Sequence, residues 1–257
     1  MSKLVSIHSF RGGTGKSNIT ANVAVNIARR GKRVGVIDCD IQSPGIHVLF
    51  GLEPEATDRT LNDYLYGHCP IDEAAYDLTK HLDAEMAAIA DAGGALYLVP
   101  SSIKAVEIAR VLREGYDVTL LHDGFRELSD RLKLDYLFID THPGLNEETL
   151  MSIAMSDIFL IVMRPDQQDI QGTAVTVEVA QRLDVPRMLL VVNMVLTSYD
   201  FDDVRQRMES TYGVPVAGVL PLTEDVVRTE SGQIFSLCSP DHFWSQVVGA
   251  VATQVMA

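Results

Sequence analysis

The sequence predicts an α/β fold in which helices flank both faces of a doubly wound, mostly parallel β-sheet. Two observations support this prediction: short apolar runs alternate with helix-like segments, and several of those runs are apolar at nearly every position. Strands buried on both faces have this composition, whereas half-exposed strands alternate apolar and polar residues. The length of 257 residues, without a repeat or an obvious linker, predicts one domain spanning residues 1–257.

Taken in order, the elements follow from local composition. The strand candidates are runs rich in Val, Ile and Leu, at residues 3–9, 33–39, 95–100, 134–140, 157–163, 187–193 and 214–220. The helix candidates lie between or after them, at residues 16–30, 102–114, 120–132, 146–155, 167–183, 200–212 and 240–256. Residues 51–94 are irregular and contain Gly, Pro and acidic residues, so we expect short helices and loops there that cap the sheet.

Composition excludes several classes of protein. The chain has 35 acidic and 21 basic residues, and its net charge of −14 disfavours DNA and anionic lipid as partners. No apolar run approaches the roughly 20 residues that span a bilayer, and the N-terminus lacks a signal-peptide pattern. Three scattered cysteines, Cys39, Cys69 and Cys238, predict neither a disulfide framework nor a metal cage. A cytoplasmic protein is expected.

The segment HSFRGGTGKSN, residues 8–18, places glycines between the first strand and the first helix. Backbone N–H groups in such a loop can surround phosphates at the positive end of a helix dipole. Lys16 would then reach the β- and γ-phosphates, and Ser17 would place a hydroxyl on Mg²⁺. The standard pattern has a glycine six residues before the lysine, where this chain has Phe10. The alternative is a glycine-rich turn that only leads into a helix.

Two acidic motifs favour the phosphate interpretation. VGVIDCD places Asp38 and Asp40 at the end of the second strand, and YLFIDTHPG places Asp140 at the end of another. The carboxyl ends of parallel strands face the crevice in which such sheets bind ligands. Carboxylates there, beside a phosphate loop, are typical of a Mg²⁺ site. The alternative is that each aspartate only caps the following turn or helix.

Together the motifs resemble the MinD/ParA family of deviant-Walker-motif ATPases. The resemblance covers nearly the whole chain, through R-GGTGKS, VIDCDIQSPGIHVLFGL, YLFIDTHPG, LLVVNMV and GVLPLTEDVVRTESG, in that order. It implies a P-loop NTPase fold and the binding of ATP with Mg²⁺. It also implies a homodimer that forms on ATP binding, with nucleotide at the interface, and slow hydrolysis stimulated by a partner protein.

The resemblance implies roles for individual residues. It assigns the phosphates to Gly12, Gly13, Thr14, Gly15, Lys16, Ser17 and Asn18. Metal binding falls to Ser17, Asp38 and Asp140, and positioning of the attacking water falls to Asp40. Asn193 would recognise the adenine edge, and the loop that begins at Pro221 would lie along the other side of the base. The roles of Asp40, Asn193 and Pro221 rest on the family resemblance alone.

Two positions depart from the family pattern. Arg11 stands where the family has a lysine that crosses the dimer interface to the partner's phosphates. Arginine keeps the charge and adds a planar fork suited to phosphate, so we expect the same contact, together with a catalytic role; a locally paired or solvated arginine is the alternative. His142 stands where the family usually has proline or another small residue. We expect a hydrogen-bonded histidine there, with a general base as the alternative.

The expected function is an ATP-dependent switch that positions or regulates a cellular cargo through an unidentified activating partner. Within residues 240–256, one apolar stripe at a spacing of four is formed by Phe243, Val247, Val251 and Val255, and no Lys or Arg follows Arg228. We therefore expect this segment to dock on the protein's own core instead of anchoring it to a membrane. DNA binding would depend on two small basic clusters interrupted by acids. The alternatives are a nucleotide-binding scaffold without turnover and a metal- or cluster-loading ATPase.

Overall fold

The computed structural model describes residues 2–53, 58–80 and 84–257. Their eight strands form one sheet in the order β3–β4–β2–β5–β1–β6–β7–β8. The strands are β1 (Lys3–His8), β2 (Arg33–Asp38), β3 (Tyr76–Asp77), β4 (Ala95–Val99), β5 (Tyr136–Asp140), β6 (Ile158–Met163), β7 (Met188–Val195) and β8 (Val216–Pro221). All neighbouring strands run parallel except β3 and β4. The predicted, mostly parallel sheet is confirmed.

The helices of the described residues lie between these strands. They are α1 (Lys16–Ala28), α2 (Ile46–Leu49), α3 (Leu61–Leu65), α4 (Ala84–Asp91), α5 (Ala105–Glu114), α6 (Thr119–Arg131), α7 (Glu147–Met155), α8 (Gln167–Arg182), α9 (Phe201–Tyr212), α10 (Glu224–Val227), α11 (Phe235–Cys238) and α12 (Phe243–Met256). Each of the seven predicted helices is present, with its ends within three residues of the prediction.

The irregular segment 51–94 contains short helices, as predicted, but also one missed strand. Besides α3 and α4 it forms two 3₁₀ turns, Ile71–Ala74 and Leu78–Lys80. The two-residue strand β3 pairs antiparallel with β4 and extends the sheet edge, so the segment does more than cap the sheet. Residues 54–57 and 81–83 of this prediction lie outside the described residues.

Alternate side chains of each strand point to opposite faces, and helices cover both. Val5 of β1 and Phe138 of β5 pack with α1 and α12 on one face. Leu137 and Ile139 of β5 pack on the opposite face with α6. A third cluster on the β6–β8 half lies under α8 and α9. Helices on both faces confirm the doubly wound arrangement.

The last helix, α12, docks on the protein's own core, as predicted for its apolar stripe. Val251 and Val255 are fully buried, but Phe243 is 52% exposed, so the prediction is wrong for the first residue of the stripe. No helix among the described residues is long and apolar enough to cross a membrane.

The sheet register brings the motifs together. β1 lies between β5 and β6, and its loop to α1 opens at the carboxyl edge of the sheet. Asp38 and Asp140 are register partners at the ends of neighbouring strands. The two acidic motifs and the glycine-rich loop therefore meet at one edge, in the crevice where open α/β sheets bind ligands.

Candidate functional site

The glycine-rich loop, residues 12–18, is attached to the sheet by Asn193. Its Nδ2 donates a hydrogen bond to the Thr14 carbonyl at 2.8 Å. Gly15, at the start of α1, has a left-handed φ of 85°, and a Cβ on it would lie 2.5 Å from Asn193 Nδ2. Both the conformation and the close approach require glycine at this position.

A cavity of about 300 Å³ opens over this loop. It is lined by Ser9, Gly12, Gly13, Thr14, Gly15, Lys16, Ser17, Asn18, Asp40, Gly45, Leu49, Pro143 and Ser231. The structure thus places all seven predicted phosphate-binding residues around one space, together with Asp40. Backbone N–H groups and the start of α1 make this space suited to an anion.

Phe10, which replaces the usual first glycine of the loop, packs against α8. The position it faces is Gly172, and a Cβ there would overlap the Phe10 ring. The Phe10 ring therefore fits only because the residue on α8 that it contacts, Gly172, has no side chain. Phenylalanine at this position thus packs the loop against α8, a contact that glycine could not make.

Lys16 forms a buried ion pair with Asp140. The distance from Lys16 Nζ to Asp140 Oδ1 is 2.8 Å, and the two side chains are 7% and 1% exposed. Thr20 Oγ1 donates to the same Oδ1 at 3.0 Å. The lysine predicted to bind phosphates is thus held by the predicted metal-associated acid, and a phosphate would have to displace that carboxylate.

Asp38 is fully buried beside this pair. Burial, together with the charge of Asp140, raises its pKa from 3.8 to about 8, with the charge of Lys16 acting in the opposite direction. Its Oδ1 accepts a hydrogen bond from the Asp40 N–H at 3.1 Å, and its Oδ2 accepts one from the Gly45 N–H at 3.3 Å. Asp38 therefore holds a proton at neutral pH, and a cation bound at this carboxyl group would displace it.

Asp40 reaches the loop cavity, where its side chain is 12% exposed. Burial raises its pKa, against the charges of Lys16 and His142. His142 Nε2 lies 3.9 Å from Asp40 Oδ1. The other ring nitrogen, Nδ1, is buried without a hydrogen-bond partner among the described residues, so the expectation of a hydrogen-bonded His142 side chain is wrong for this atom.

The oxygen atoms at this edge fit Mg²⁺ bound together with a nucleotide. Ser17, Asp38 and Asp140 offer hard oxygen ligands, and Asp140 Oδ2 is buried without a hydrogen-bond partner in the described part of the chain. Within that part, no group of three or more His, Cys, Asp or Glu side chains could hold a metal ion by itself. This combination suits Mg²⁺, which is held by few carboxylates and takes its other ligands from phosphates and water.

A second cavity, of about 280 Å³, adjoins the first. Both predicted base-binding residues, Asn193 and Pro221, line it. The two cavities share Gly15, Asn18 and Ser231. A ligand with a charged and a planar apolar part could therefore occupy both at once.

Sequence reasoning missed three residues of this second cavity: Met194, Ser231 and Trp244. Met194 and Ser231 have left-handed φ values of 56° and 58°, a conformation that side chains other than glycine rarely adopt. Both lie within segments that carry the family resemblance, LLVVNMV and GVLPLTEDVVRTESG, but the resemblance assigned no role to either residue. The single tryptophan of the chain was the available signal, because binding pockets are commonly lined by aromatic side chains.

Arg11 is paired locally, as the alternative interpretation allowed. Its Nε donates to Asp169 Oδ1 at 2.6 Å, and its Nη2 lies 2.9 Å from Asp166 Oδ2. Nη1 donates to Gln168 Oε1. All three partners stand at the start of α8, and the Asp169 side chain is only 2% exposed. Contact with a partner's phosphates stays a prediction.

Comparison with known proteins places these features in a family. Residues 5–235 match the CobQ/CobB/MinD/ParA nucleotide-binding domain. An ATP-binding protein of Methanocaldococcus jannaschii is 30% identical over 87% of this chain and 76% of its own. An iron–sulfur cluster carrier protein of Clostridium perfringens is 26% identical over 90% of this chain and 80% of its own.

Solved structures share the fold. The cell division ATPase MinD of Pyrococcus furiosus superposes with a TM-score of 0.82 at 22% identity, over 100% of this chain and 99% of its own. The septum site-determining protein MinD of Pyrococcus horikoshii, complexed with Mg-ADP, gives 0.81 at 21% identity, over 99% and 96%. The chain belongs to the CobQ/CobB/MinD/ParA family of nucleotide-binding domains.

Proposed function

We propose that this chain binds MgATP, hydrolyses it slowly and acts as an ATP-dependent dimerisation switch. The adjoining cavities carry the proposal, because one is lined by the glycine-rich loop and the other by apolar residues, and they join at Gly15, Asn18 and Ser231. A triphosphate and a purine base joined by a ribose match that arrangement. Mg-ADP in the similar Pyrococcus horikoshii structure supports the choice of ligand.

In this proposal the amides of residues 12–18 bind phosphate oxygens, and Lys16 exchanges Asp140 for the β- and γ-phosphates. Mg²⁺, bound by Ser17 with Asp38 and Asp140, neutralises charge on the phosphates. Asp40, which borders the loop cavity, orients the attacking water. Positioning and electrostatic stabilisation supply most of the rate in phosphoryl transfer, so no strong base is required.

Asn193 and Pro221 contact the base in this proposal. Asn193 already donates one amide hydrogen to the Thr14 carbonyl, which leaves its carbonyl oxygen to accept from an exocyclic amine. Pro221 stands at the end of β8 and lines the opposite part of the cavity. The two residues would therefore contact an adenine from different strands.

Exposed apolar residues support dimerisation at the edge that carries the site. Val48, Ile103, Val106 and Leu150 follow the carboxyl ends of β2, β4 and β5, and Val106 is 79% exposed. Apolar surface of this kind marks protein interfaces. Across such an interface Arg11 would exchange the carboxylates of Asp166 and Asp169 for the partner's phosphate oxygens, which suit the same planar fork.

A cellular cargo, an activating partner protein and a cytoplasmic site of action are part of the proposal. The two basic clusters are Arg126 with Arg131 and Lys133, and Arg205 with Arg207. Each is partly engaged within the chain, since Arg131 is paired with Asp72 and Glu127 and Arg205 donates to the Val216 carbonyl. With a net charge of −14, this disfavours DNA as a partner. Cluster loading is disfavoured because Cys39 is buried and no metal-holding group occurs among the described residues.

Two variants test the proposal. Lys16→Ala should abolish ATP binding, measured by calorimetry, because it removes the charge that faces the phosphates. Asp40→Ala should bind ATP and accumulate as a dimer, measured by light scattering, because hydrolysis no longer reopens it. Arg182→Ala, in an exposed pair with Glu178 at the C-terminal end of α8, is the control and should behave as wild type. Equal ATP affinity in wild type and Lys16→Ala would contradict the proposal.

The scaffold alternative makes a different prediction for turnover. A nucleotide-binding scaffold would bind ATP and lose it unchanged, whereas the proposed ATPase releases phosphate for many cycles. Phosphate release followed for many hours, with Asp40→Ala as the blank, separates the two. Release equal to that blank would favour the scaffold.

A further inference from the structure

An apolar cleft with acidic walls lies beside the base cavity, where β7 and β8 end. Its apolar walls are Tyr199, Phe201, Leu222 and Phe243, and its acidic walls are Asp200 and Glu224; we call it the acidic cleft. Its volume is about 620 Å³, larger than either cavity of the nucleotide site. Leu222 also lines the base cavity, so the two spaces share a wall.

The apolar side chains of the acidic cleft are unusually exposed. Tyr199, Leu222 and Phe243 are 49%, 48% and 52% exposed. The ring of Phe201 lies 6.0 Å from that of Phe243, so the aromatic residues form one surface. Phe243 is also the residue that departs from the buried stripe of α12. Contiguous exposed apolar surface with a polar rim marks an interaction site.

The charge around this surface is strongly negative. Six acidic residues stand on the segments that form the cleft: Asp200, Asp202, Asp203, Glu224, Asp225 and Asp241. Three arginines stand on the same segments: Arg205 donates to the Val216 carbonyl, Arg228 donates to Glu224, and Arg207 lines a neighbouring cavity with Asp200 and Asp203. An apolar surface with an anionic rim is complementary to a ligand with apolar side chains flanked by cations.

We propose that the acidic cleft binds a cationic amphipathic segment of a partner protein. Apolar side chains of that segment lie against Leu222 and Phe243, and its Lys or Arg residues face Asp200 and Glu224. A bilayer with anionic headgroups carries the same charge as this rim and is repelled by it, as is DNA. This inference does not depend on ATP hydrolysis, because none of its residues is assigned to phosphates or metal.

A designed peptide tests the proposal on the full chain. The probe is a fluorescein-labelled 14-residue peptide of Leu and Lys with helical spacing of its apolar face, and its binding is measured by anisotropy. We expect saturable binding that weakens about tenfold when salt rises from about 0.05 to 0.5 M. A peptide of the same composition without an apolar face, and a peptide with Glu in place of Lys, should bind at least tenfold more weakly.

Matched variants locate the binding site. Leu222→Ser and Phe243→Ser should each weaken peptide binding about tenfold, the loss expected for one large apolar contact. Leu112→Ser, at a leucine 60% exposed on α5, should change it less than twofold. Glu224→Gln should weaken binding about threefold, whereas Glu178→Gln, which disrupts an equivalent exposed i,i+4 pair on α8, should not.

Three outcomes would overturn the proposal: control variants that lose as much affinity as the cleft variants, equal binding of the Glu peptide, or binding of phosphatidylglycerol vesicles that Leu222→Ser and Phe243→Ser abolish. Thermal melts of every variant show whether the chain is folded. Two independent apolar substitutions keep the test decisive if one of them unfolds the chain.

Discussion

Asp38→Asn tests the raised pKa of the buried carboxyl group at the end of β2. Asp38 is fully buried and its pKa lies at about 8. Between pH 3.8 and about pH 8, Asp38 of the folded chain keeps a proton that the same residue of the unfolded chain has released. The free energy of unfolding of the wild type therefore falls as pH rises through this window and levels off above it. Asparagine does not titrate, so the variant lacks this dependence.

The size of the effect follows from the pKa. Each tenfold change in proton affinity corresponds to about 1.4 kcal/mol, so a rise from 3.8 to about 8 sets an upper limit of about 6 kcal/mol. Water entry and relaxation around the buried carboxyl group of Asp38 lower this total. Asparagine also places its amide near the Gly45 N–H, which costs about 1 kcal/mol at every pH. The change with pH is therefore the informative quantity.

The assay is urea unfolding at several pH values, without nucleotide and with EDTA. From pH 6 to pH 8 the stability of Asp38→Asn relative to wild type should rise by about 2 kcal/mol. Glu178→Gln, at a side chain 63% exposed on α8, is the control and should follow the wild type. Parallel curves for wild type and Asp38→Asn would refute the high pKa of Asp38 and the proton displacement inferred from it.

Three further predictions concern single contacts. Arg11→Ala should leave ATP affinity within about twofold of wild type but abolish the ATP-dependent dimer in light scattering, and an intact dimer would contradict the trans contact. Asn193→Ala should lower ATP affinity about tenfold in calorimetry, because it releases the Thr14 carbonyl and loses the adenine contact; an unchanged affinity would exclude both roles. Gly172→Ala should destabilise the chain by about 1–3 kcal/mol in urea unfolding, because its Cβ overlaps Phe10. In a Phe10→Ala background the same change should be neutral or stabilising, because alanine is the better helix former.

The sheet and the nucleotide-binding loop could be predicted because their signals are local. The strands of a doubly wound sheet are apolar throughout. The glycine-rich loop follows β1, and β2 and β5 end in Asp38 and Asp140, at the crevice where such sheets bind ligands. The strand β3 was missed because two residues, Tyr76 and Asp77, show no periodicity. Its position follows only from pairing with β4.

The partners of Arg11 could not be predicted because they stand 155 to 158 residues away in sequence. They reach Arg11 because β6 lies beside β1, which brings the start of α8 next to the glycine-rich loop. The same strand order brings Gly172 of α8 against Phe10. Contacts set by strand order leave no pattern in the segments themselves, whereas a motif confined to one loop does.

The ion pair between Lys16 and Asp140 implies that nucleotide and metal bind together. When phosphate takes Lys16 from Asp140, two buried carboxyl groups at neighbouring strand ends, Asp38 and Asp140, lose their nearby cation. Leaving buried charge uncompensated is costly, and a divalent ion at these oxygens restores the balance. ATP without Mg²⁺ should therefore bind at least about tenfold more weakly than MgATP, and the difference should widen above pH 8, where Asp38 ionises. Calorimetric titrations with Mg²⁺ or with EDTA at pH 7 and pH 9 measure this coupling. Equal affinities for ATP and MgATP would show that phosphate binding at Lys16 is not coupled to Mg²⁺ binding at the two aspartates.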